Sequence, residues 1–289
     1  MPTIKEFNDK LSRLRNTQKM TATMKLVAMS KLYKAQEAQR NAKRYALHLT
    51  DLIGRLAASV ESSVHPLLEP RKEVKKALIL VFASDKGLCG GYNNILLRGV
   101  DQWIKQNKEK YSAMDISCCG KRAFMHFRRK AQVQKYYEGS TREPNFQTAA
   151  QIAEDLSGHF LSKKYDEIYV SYNNFFSPLS QTPMFTKVLP IEASEVLSGG
   201  QKISGDYLFE PEKEKLFAFL IPKYLYFRIY FAFLENAAGE HGARMTAMDN
   251  ATKNADDMID SYTLLRNRAR QSEITTELIE IISGAEALK

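Results

Sequence analysis

Apolar and small residues recur in alternating steps of three and four at both ends of this chain, and in shorter blocks of mixed period between. Near the amino terminus Ile4, Phe7, Leu11 and Leu14 fall on one helical stripe, and Ala35, Ala38, Ala42, Tyr45, Leu49, Leu52 and Leu56 resume it. That spacing predicts a helix with a single apolar seam. Thr3 and Glu6 open it as a capping box, hydroxyl and carboxylate each satisfying the other's orphan backbone donor. Toward the carboxy terminus Leu234, Ala238, His241, Met245, Met248, Thr252, Ala255, Ile259 and Tyr262 repeat the pattern, and Leu265, Ala269, Ser272, Thr276 and Ile279 continue it. The short step from Tyr262 to Leu265 reads as a stammer, which locally overwinds a coiled coil.

Proline positions support this division. All nine lie at 2, 66, 70, 144, 178, 183, 190, 211 and 222, leaving 3–65 and 223–289 free of the residue that breaks helices. Three parts follow: long helices over 1–65 and 223–289, and a folded middle over 66–222. About 60 helical residues span roughly 90 Å, whereas a compact chain of this length has a radius of gyration of about 19 Å. The simplest expectation is an antiparallel coiled coil of the two terminal helices, with small seam residues (Ala35, Ala38, Ala42, Ala255, Ala269) allowing close approach.

The middle alternates strand and helix patterns. KALILVFAS (76–84), MDISCCG (114–120), QVQKYYE (132–138), DEIYVSYNN (166–174) and TPMFTKVLPI (182–191) read as strands. Helical patterns fit near 92–110, 121–129 and 146–163. The fold class expected is therefore α/β: a Rossmann-like domain with a partly parallel sheet, carrying a long coiled coil.

Charge adds one fact. The net charge is +9, with twelve Lys and Arg against five Asp and Glu in residues 1–65 and eight against ten in 223–289. A basic amino-terminal helix suits nucleic acid, an acidic membrane surface or acidic protein partners. The cluster RNRAR (266–270) lacks the interleaved aromatics or reader motif that nucleic-acid binding calls for, and a solvated face or a protein partner suits it better. Three cysteines without a CxxC pair argue against structural zinc and for a reducing compartment. No run of about 18 uncharged apolar residues is present, and MPTIKEF reads as neither signal nor transit peptide.

SDKGLCGGYN (84–93) follows the first strand where a phosphate-binding loop would sit. Its spacing is wrong for one: GxxxxGK with Ser or Thr is absent, and Leu88 and Cys89 separate Gly87 from the next glycine, so GxGxxG fails as well. Gly87, Gly90 and Gly91 are expected to make a structural strand-to-helix turn, with no cofactor. The five histidines form no metal-binding pattern, no GxSxG is present, and no catalytic residue is assigned. On these residues alone a nucleotide-dependent enzyme built on this loop, a coiled-coil scaffold and a nucleic-acid-binding rod remain alternatives.

Four stretches in order resemble one family, the gamma subunit of the F-type ATP synthase. NTQKMTATMKLVAMSKLYKAQ (16–36) is similar to its basic first helix and SDKGLCGGYN to its signature loop. ENAAGEHGARMTAMDNATKNA (235–255) and NRARQSEITTELIEIISGAEAL (267–288) are similar to its carboxy-terminal blocks. The resemblance implies a rotating central shaft that catalyses nothing by itself. Its expected partners are a hexameric head of alpha and beta subunits with one gamma per head, the epsilon subunit and the membrane ring of c subunits. Nucleic acid is not among them, and membrane contact is indirect, on the cytoplasmic side of a bacterial inner membrane. Carried over by motif, Met24, Arg244, Gln271, Thr275 and Glu277 are the implied contacts with the beta subunits. Two features depart from the family pattern: glycines at 239 and 242 within the long helix, and the unusually aromatic YLYFRIYFAFL (224–234).

Overall fold

A strand buried on both faces organises the middle of the chain. In the computed structural model, which describes residues 3–57, 65–192 and 212–286, β1 (Lys76–Phe82) is fully buried from Ala77 onward. It lies at the centre of a five-stranded sheet. The others are β2 (Ala113–Cys119), β3 (Val133–Tyr137), β4 (Glu167–Ser177) and β5 (Ser180–Leu189), in the order β3-β2-β1-β4-β5. β1 pairs in parallel with β2 and β4, with Leu80 opposite Ser117 and Val170. β2 pairs in parallel with β3, and β5 closes the other edge as an antiparallel hairpin with β4. Parallel neighbours need crossovers, and α2 (Tyr92–Gln106), α3 (Lys121–Phe127) and α4 (Phe146–Leu161) supply them. Each expected strand and crossover helix is present.

The two faces of β1 go to different partners because successive side chains alternate. Ile79, Val81 and Ala83 pack with Leu96, Leu97 and Val100 of α2 and with Ala123 and Phe127 of α3. Leu78, Leu80 and Phe82 pack against α4 and the two long helices, α1 (Ile4–Ala57) and α5 (Lys213–Glu286). Cys118 and Cys119 divide the same way, one to each core. Burial alone raises the Cys118 thiol to about 12, as befits an inert packing residue.

Contacts separate the chain into two compact units, Met29–Ala243 and Met1–Ala28 with Arg244–Lys289. In the first, the aromatic run 224–234 is the second layer of the core. Leu225, Ile229 and Phe233 are sealed against the sheet, and Phe233 meets Phe82 edge to face at 4.7 Å. This burial also explains why α5 begins at Lys213 and runs through Pro222, where proline was expected to stop it. Interior proline costs about 3 kcal/mol. Burying Ile221 and Leu225 on either side of it returns about 1.5–3 kcal/mol each.

In the second unit α1 and α5 run antiparallel. Phe7 faces Tyr262 with ring centres 6.4 Å apart, Thr21 meets Thr252 at 2.7 Å, and Lys25 meets Asp249 at 2.6 Å. The capping box forms as expected, Thr3 N–H donating to Glu6 at 2.9 Å and Glu6 N–H to Thr3 Oγ1 at 3.3 Å. The seam itself needs two corrections. On α1 the buried stripe follows a strict heptad through Thr21, Ala28, Leu32, Ala35, Ala42, Leu49 and Ile53, so the expected Tyr45 and Leu52 point outward. Leu56 lies outside the residues whose side chains are described. On α5 no stammer appears: Leu265 is exposed, Arg266 and Ala269 are half-buried, and from Arg270 onward every described side chain is exposed. The physical reason is length. α1 starts at Ile4, so its first turns face the region of Tyr262 and nothing of α1 remains to cover residues beyond.

Candidate functional site

The glycine loop is built as a structural turn. Gly90 takes a left-handed conformation at φ 57°, and Leu88 takes another at φ 64°. Gly91 caps the start of α2 with ordinary helical angles, so of the three expected turn glycines only Gly90 is required by its backbone. At Gly87 an added Cβ would lie 2.6 Å from the Arg122 guanidinium, which can swing aside. The loop is stitched internally. Asn93 Oδ1 accepts from Ser84 N–H at 3.0 Å, Asn93 Nδ2 donates to Cys89 Sγ at 3.2 Å, and Asp85 accepts the Lys121 N–H at 2.9 Å. The glycine that geometry demands most lies outside the SDKGLCGGYN motif. Gly120 sits at φ 95°, and a Cβ there would fall 2.0 Å from the carbonyl oxygen of Ala83. Its signal was its place at the end of the second strand, directly before a helix.

Tyr92 and Asn93 end the loop and point inward. The Tyr92 hydroxyl donates to the backbone carbonyl of Asn236 on α5 at 3.0 Å, and burial holds its phenol well above the usual range, so it remains a donor. Cys89 and Tyr92 pack with Ala243. The loop's reactive-looking side chains are thus spent on seating a helix. Among the described residues no group of three or more His, Cys, Asp or Glu is arranged to hold a metal ion, and no helix is long and apolar enough to cross a membrane.

The five residues implied as partner contacts all lie in the unit formed by Met1–Ala28 and Arg244–Lys289. Met24 and Arg244 are half-buried; Gln271, Thr275 and Glu277 are exposed. Gln271 and Thr275 share a helical face, the Thr275 hydroxyl donating to the Gln271 carbonyl at 2.8 Å. Glu277, two residues on, faces elsewhere. Large apolar side chains flank the last three: Ile274, Leu278, Ile279, Ile281 and Ile282 are each about half exposed or more, Ile279 among them although its spacing placed it on the seam. Met20, Leu26 and Val27 of α1 are exposed as well. Large apolar side chains concentrated on both helices mark a surface made to be covered.

A family profile described as ATP synthase matches residues 3–288. The ATP synthase gamma chain of Trichlorobacter lovleyi is 39% identical over 289 residues, covering 100% of both chains, and that of Pelotomaculum thermopropionicum is 39% identical over 290 residues, again covering both completely. The chain belongs to the ATP synthase gamma chain family. Among solved structures, a chain of the Euglena gracilis mitochondrial ATP synthase, in a structure of its OSCP, F1 and c-ring, aligns with a TM-score of 0.67. It is 19% identical, with 99% of this chain and 94% of that one covered. A chain from the central stalk and c-ring of the Tetrahymena thermophila mitochondrial enzyme aligns with a TM-score of 0.60 at 23% identity, over 80% of this chain and 99% of that one. At such identities these two neighbours speak to the fold alone.

The glycines at 239 and 242, which depart from the gamma family's pattern, have a local explanation. A Cβ at Gly239 would sit 2.8 Å from the Tyr92 ring. One at Gly242 would sit 2.9 Å from the Phe175 ring and 3.2 Å from the Pro178 backbone. Each glycine costs α5 up to about 1 kcal/mol of helix propensity, and each opens a notch into which the α/β domain fits.

Proposed function

We propose that this chain is the rotating shaft of a proton-translocating ATP synthase and catalyses nothing by itself. The observation that carries the reading is the bare carboxy-terminal end of α5. A helix with five exposed leucine and isoleucine side chains between 274 and 282 is built to sit inside something, and a ring of alpha and beta subunits is the enclosure that the family supplies. Met24, Arg244, Gln271, Thr275 and Glu277 are the residues through which the shaft meets the beta subunits. Gly87, Gly90 and Gly91 shape the turn that seats it. The parts work as two terminal segments, 1–65 and 223–289, that carry the long helices, and a central segment over 66–222 that meets the epsilon subunit and the ring of c subunits.

The mechanism needs no chemistry from the shaft. Proton flow turns ring and shaft together, and each orientation of an asymmetric shaft favours a different nucleotide state in each of the catalytic sites around it. That is coupling free energy between distant sites, carried by differential contact. The chain sits with its complex at the cytoplasmic face of a bacterial inner membrane.

Affinity capture of the tagged chain from native membranes, with subunits counted by mass spectrometry, tests the reading. Alpha, beta and gamma in a ratio near three to three to one, with epsilon present, is the expected result. Capture of the chain alone or with nucleic acid would overturn it. In the assembled enzyme, replacement of Met24 or Gln271 lowers proton pumping per ATP hydrolysed while leaving the complex intact; undisturbed pumping would remove those residues from the contact.

A further inference from the structure

A helix that rests on an apolar surface can roll and slide, because hydrophobic burial has no preferred direction. A shaft that carries torque needs its angle and height fixed as well, and one region of the Met29–Ala243 unit does both. Glu235, on α5, is buried to 3% exposure. One carboxylate oxygen accepts the Phe175 N–H of β4 at 2.8 Å, and the other accepts from the Gln39 side chain of α1. A single buried carboxylate therefore ties both long helices to the sheet.

One residue on, the Tyr92 hydroxyl of α2 donates to the Asn236 carbonyl, while the Tyr92 ring occupies the notch at Gly239. The carbonyl of Tyr92 in turn accepts from the Asn173 side chain of β4 at 3.0 Å. Burying a carboxylate is costly against an apolar alternative of the same shape, and helix glycine is costly against alanine. Both costs fall in one stretch of α5, where Leu234 and Ala238 would already hold it by burial.

Resting on the rotor reading above, we infer that Glu235, Gln39, Tyr92 and Gly239 form the clamp through which torque passes between the helix pair and the α/β domain. The directional bonds fix the rotation of α5 about its own axis, and the notch fixes its position along that axis. None of these residues is required to touch a partner subunit.

The test uses the assembled enzyme in inverted membrane vesicles, with ATP hydrolysis and ATP-driven acidification measured together. The variants are Gly239→Ala, Tyr92→Phe and the space-restoring pair Gly239→Ala with Tyr92→Leu. Gly239→Ala is expected to leave subunit recovery and hydrolysis unchanged and to lower protons pumped per ATP by at least about twofold, the lower end of measured coupling effects. The pair recovers part of that loss. Tyr92→Phe, which keeps the ring, broadens the angular fluctuation of a bead carried on the shaft in single complexes, a readout that a packing role would not move. Wild-type pumping per ATP in Gly239→Ala overturns the clamp. If that variant assembles poorly, unchanged angular fluctuation in Tyr92→Phe overturns it instead. Failure of the unmodified chain to recover head subunits would sink the rotor reading, a result distinct from either.

Discussion

Two stretches of α5 have nearly the same apolar character and opposite fates. Between 225 and 238, Leu225, Ile229, Phe233 and Leu234 are sealed within the core. Between 274 and 282, Ile274, Leu278, Ile279, Ile281 and Ile282 are exposed on every side of the helix. Apolar content says that a segment must be covered and leaves open what covers it. The first stretch is covered by the chain's own sheet. The second continues past the start of α1 and waits for another molecule. Stability is thus concentrated where the chain supplies both surfaces, and the proposed contact with the head lies where it supplies one.

Emptying the covered stretch of α5 costs the most. Phe233→Ala removes a ring that packs edge to face on Phe82 at 4.7 Å. Such truncations cost about 3–5 kcal/mol, a large share of the stability of an ordinary domain. Urea unfolding of the full chain, followed through the fluorescence of Trp103, is the measurement. Trp103 stacks on Phe185 and lies against Tyr169, so it reports the same unit. A midpoint equal to wild type would mean that this end of α5 is not held by the sheet.

Gly242→Ala is next, and here two effects of opposite sign compete. Helix propensity gains about 1 kcal/mol. The new methyl meets the Phe175 ring at 2.9 Å and the Pro178 backbone at 3.2 Å, and overpacking of that kind costs about 1–3 kcal/mol. The ring can tilt and the backbone cannot, so net destabilisation is expected in the same unfolding experiment. A stabilised variant would show that the notch is slack.

How much of this was legible in advance depended on which surface supplied the signal. The unbroken apolar run of β1 and the tight turn after it placed the sheet, because a strand buried on both faces carries no polar alternation. The heptad of α1 was read only in part, since Gln18, Thr21 and Lys25 occupy seam positions with polar side chains. Their partners are Asp256, Thr252 and Asp249 on the other helix, which no local pattern reveals. Tyr45 looked like a seam residue, but Ala46 faces the core one position later, an assignment set by packing against α5. Pro222 misled because tertiary burial of its neighbours outweighs a local rule. Gly87 and Gly91 drew notice as motif residues although their angles are ordinary, and Gly120 escaped notice although the Ala83 carbonyl forbids any other residue. The proposed contact residues came from family resemblance alone, since exposed residues on a bare helix carry no local signature of their partner.

Two carboxylates of the Met29–Ala243 unit respond to acid in opposite directions. Burial works to raise Glu167, yet hydrogen bonds from Tyr111, Lys110 and Tyr169 hold it below the usual range. Its contribution is present above the ordinary carboxylate pKa and is lost as pH falls through the lower folded value. Glu235 runs the other way. Burial raises it despite the Phe175 and Gln39 hydrogen bonds, so the folded state holds its proton longer than the unfolded chain does. Stability therefore rises modestly as pH falls through the folded value of Glu235 toward the ordinary one, then declines as Glu167 protonates below it. Glu235→Gln is expected to flatten the upper part of a plot of unfolding midpoint against pH, and Glu167→Gln the lower part. Identical effects of the two substitutions would refute this assignment.

The smallest effect on stability belongs to the bare stretch, and it is the most informative. Leu278→Ser and Ile282→Ser alter side chains that are more than half exposed among the described residues. Surface substitutions of this kind stay within about 0.5 kcal/mol, so the unfolding midpoint should not move. The same change at Leu225, fully buried on the same helix, should unfold the unit. Recovery of alpha and beta subunits with the captured chain is the second measurement, and there the order reverses for folded protein: Leu278→Ser with Ile282→Ser weakens recovery while leaving the chain intact. If recovery and stability both stay at wild type, the exposed leucine and isoleucines are not the surface that the head encloses. If stability falls instead, residues 274–282 are covered by the chain itself, and the contrast between the two ends of α5 disappears.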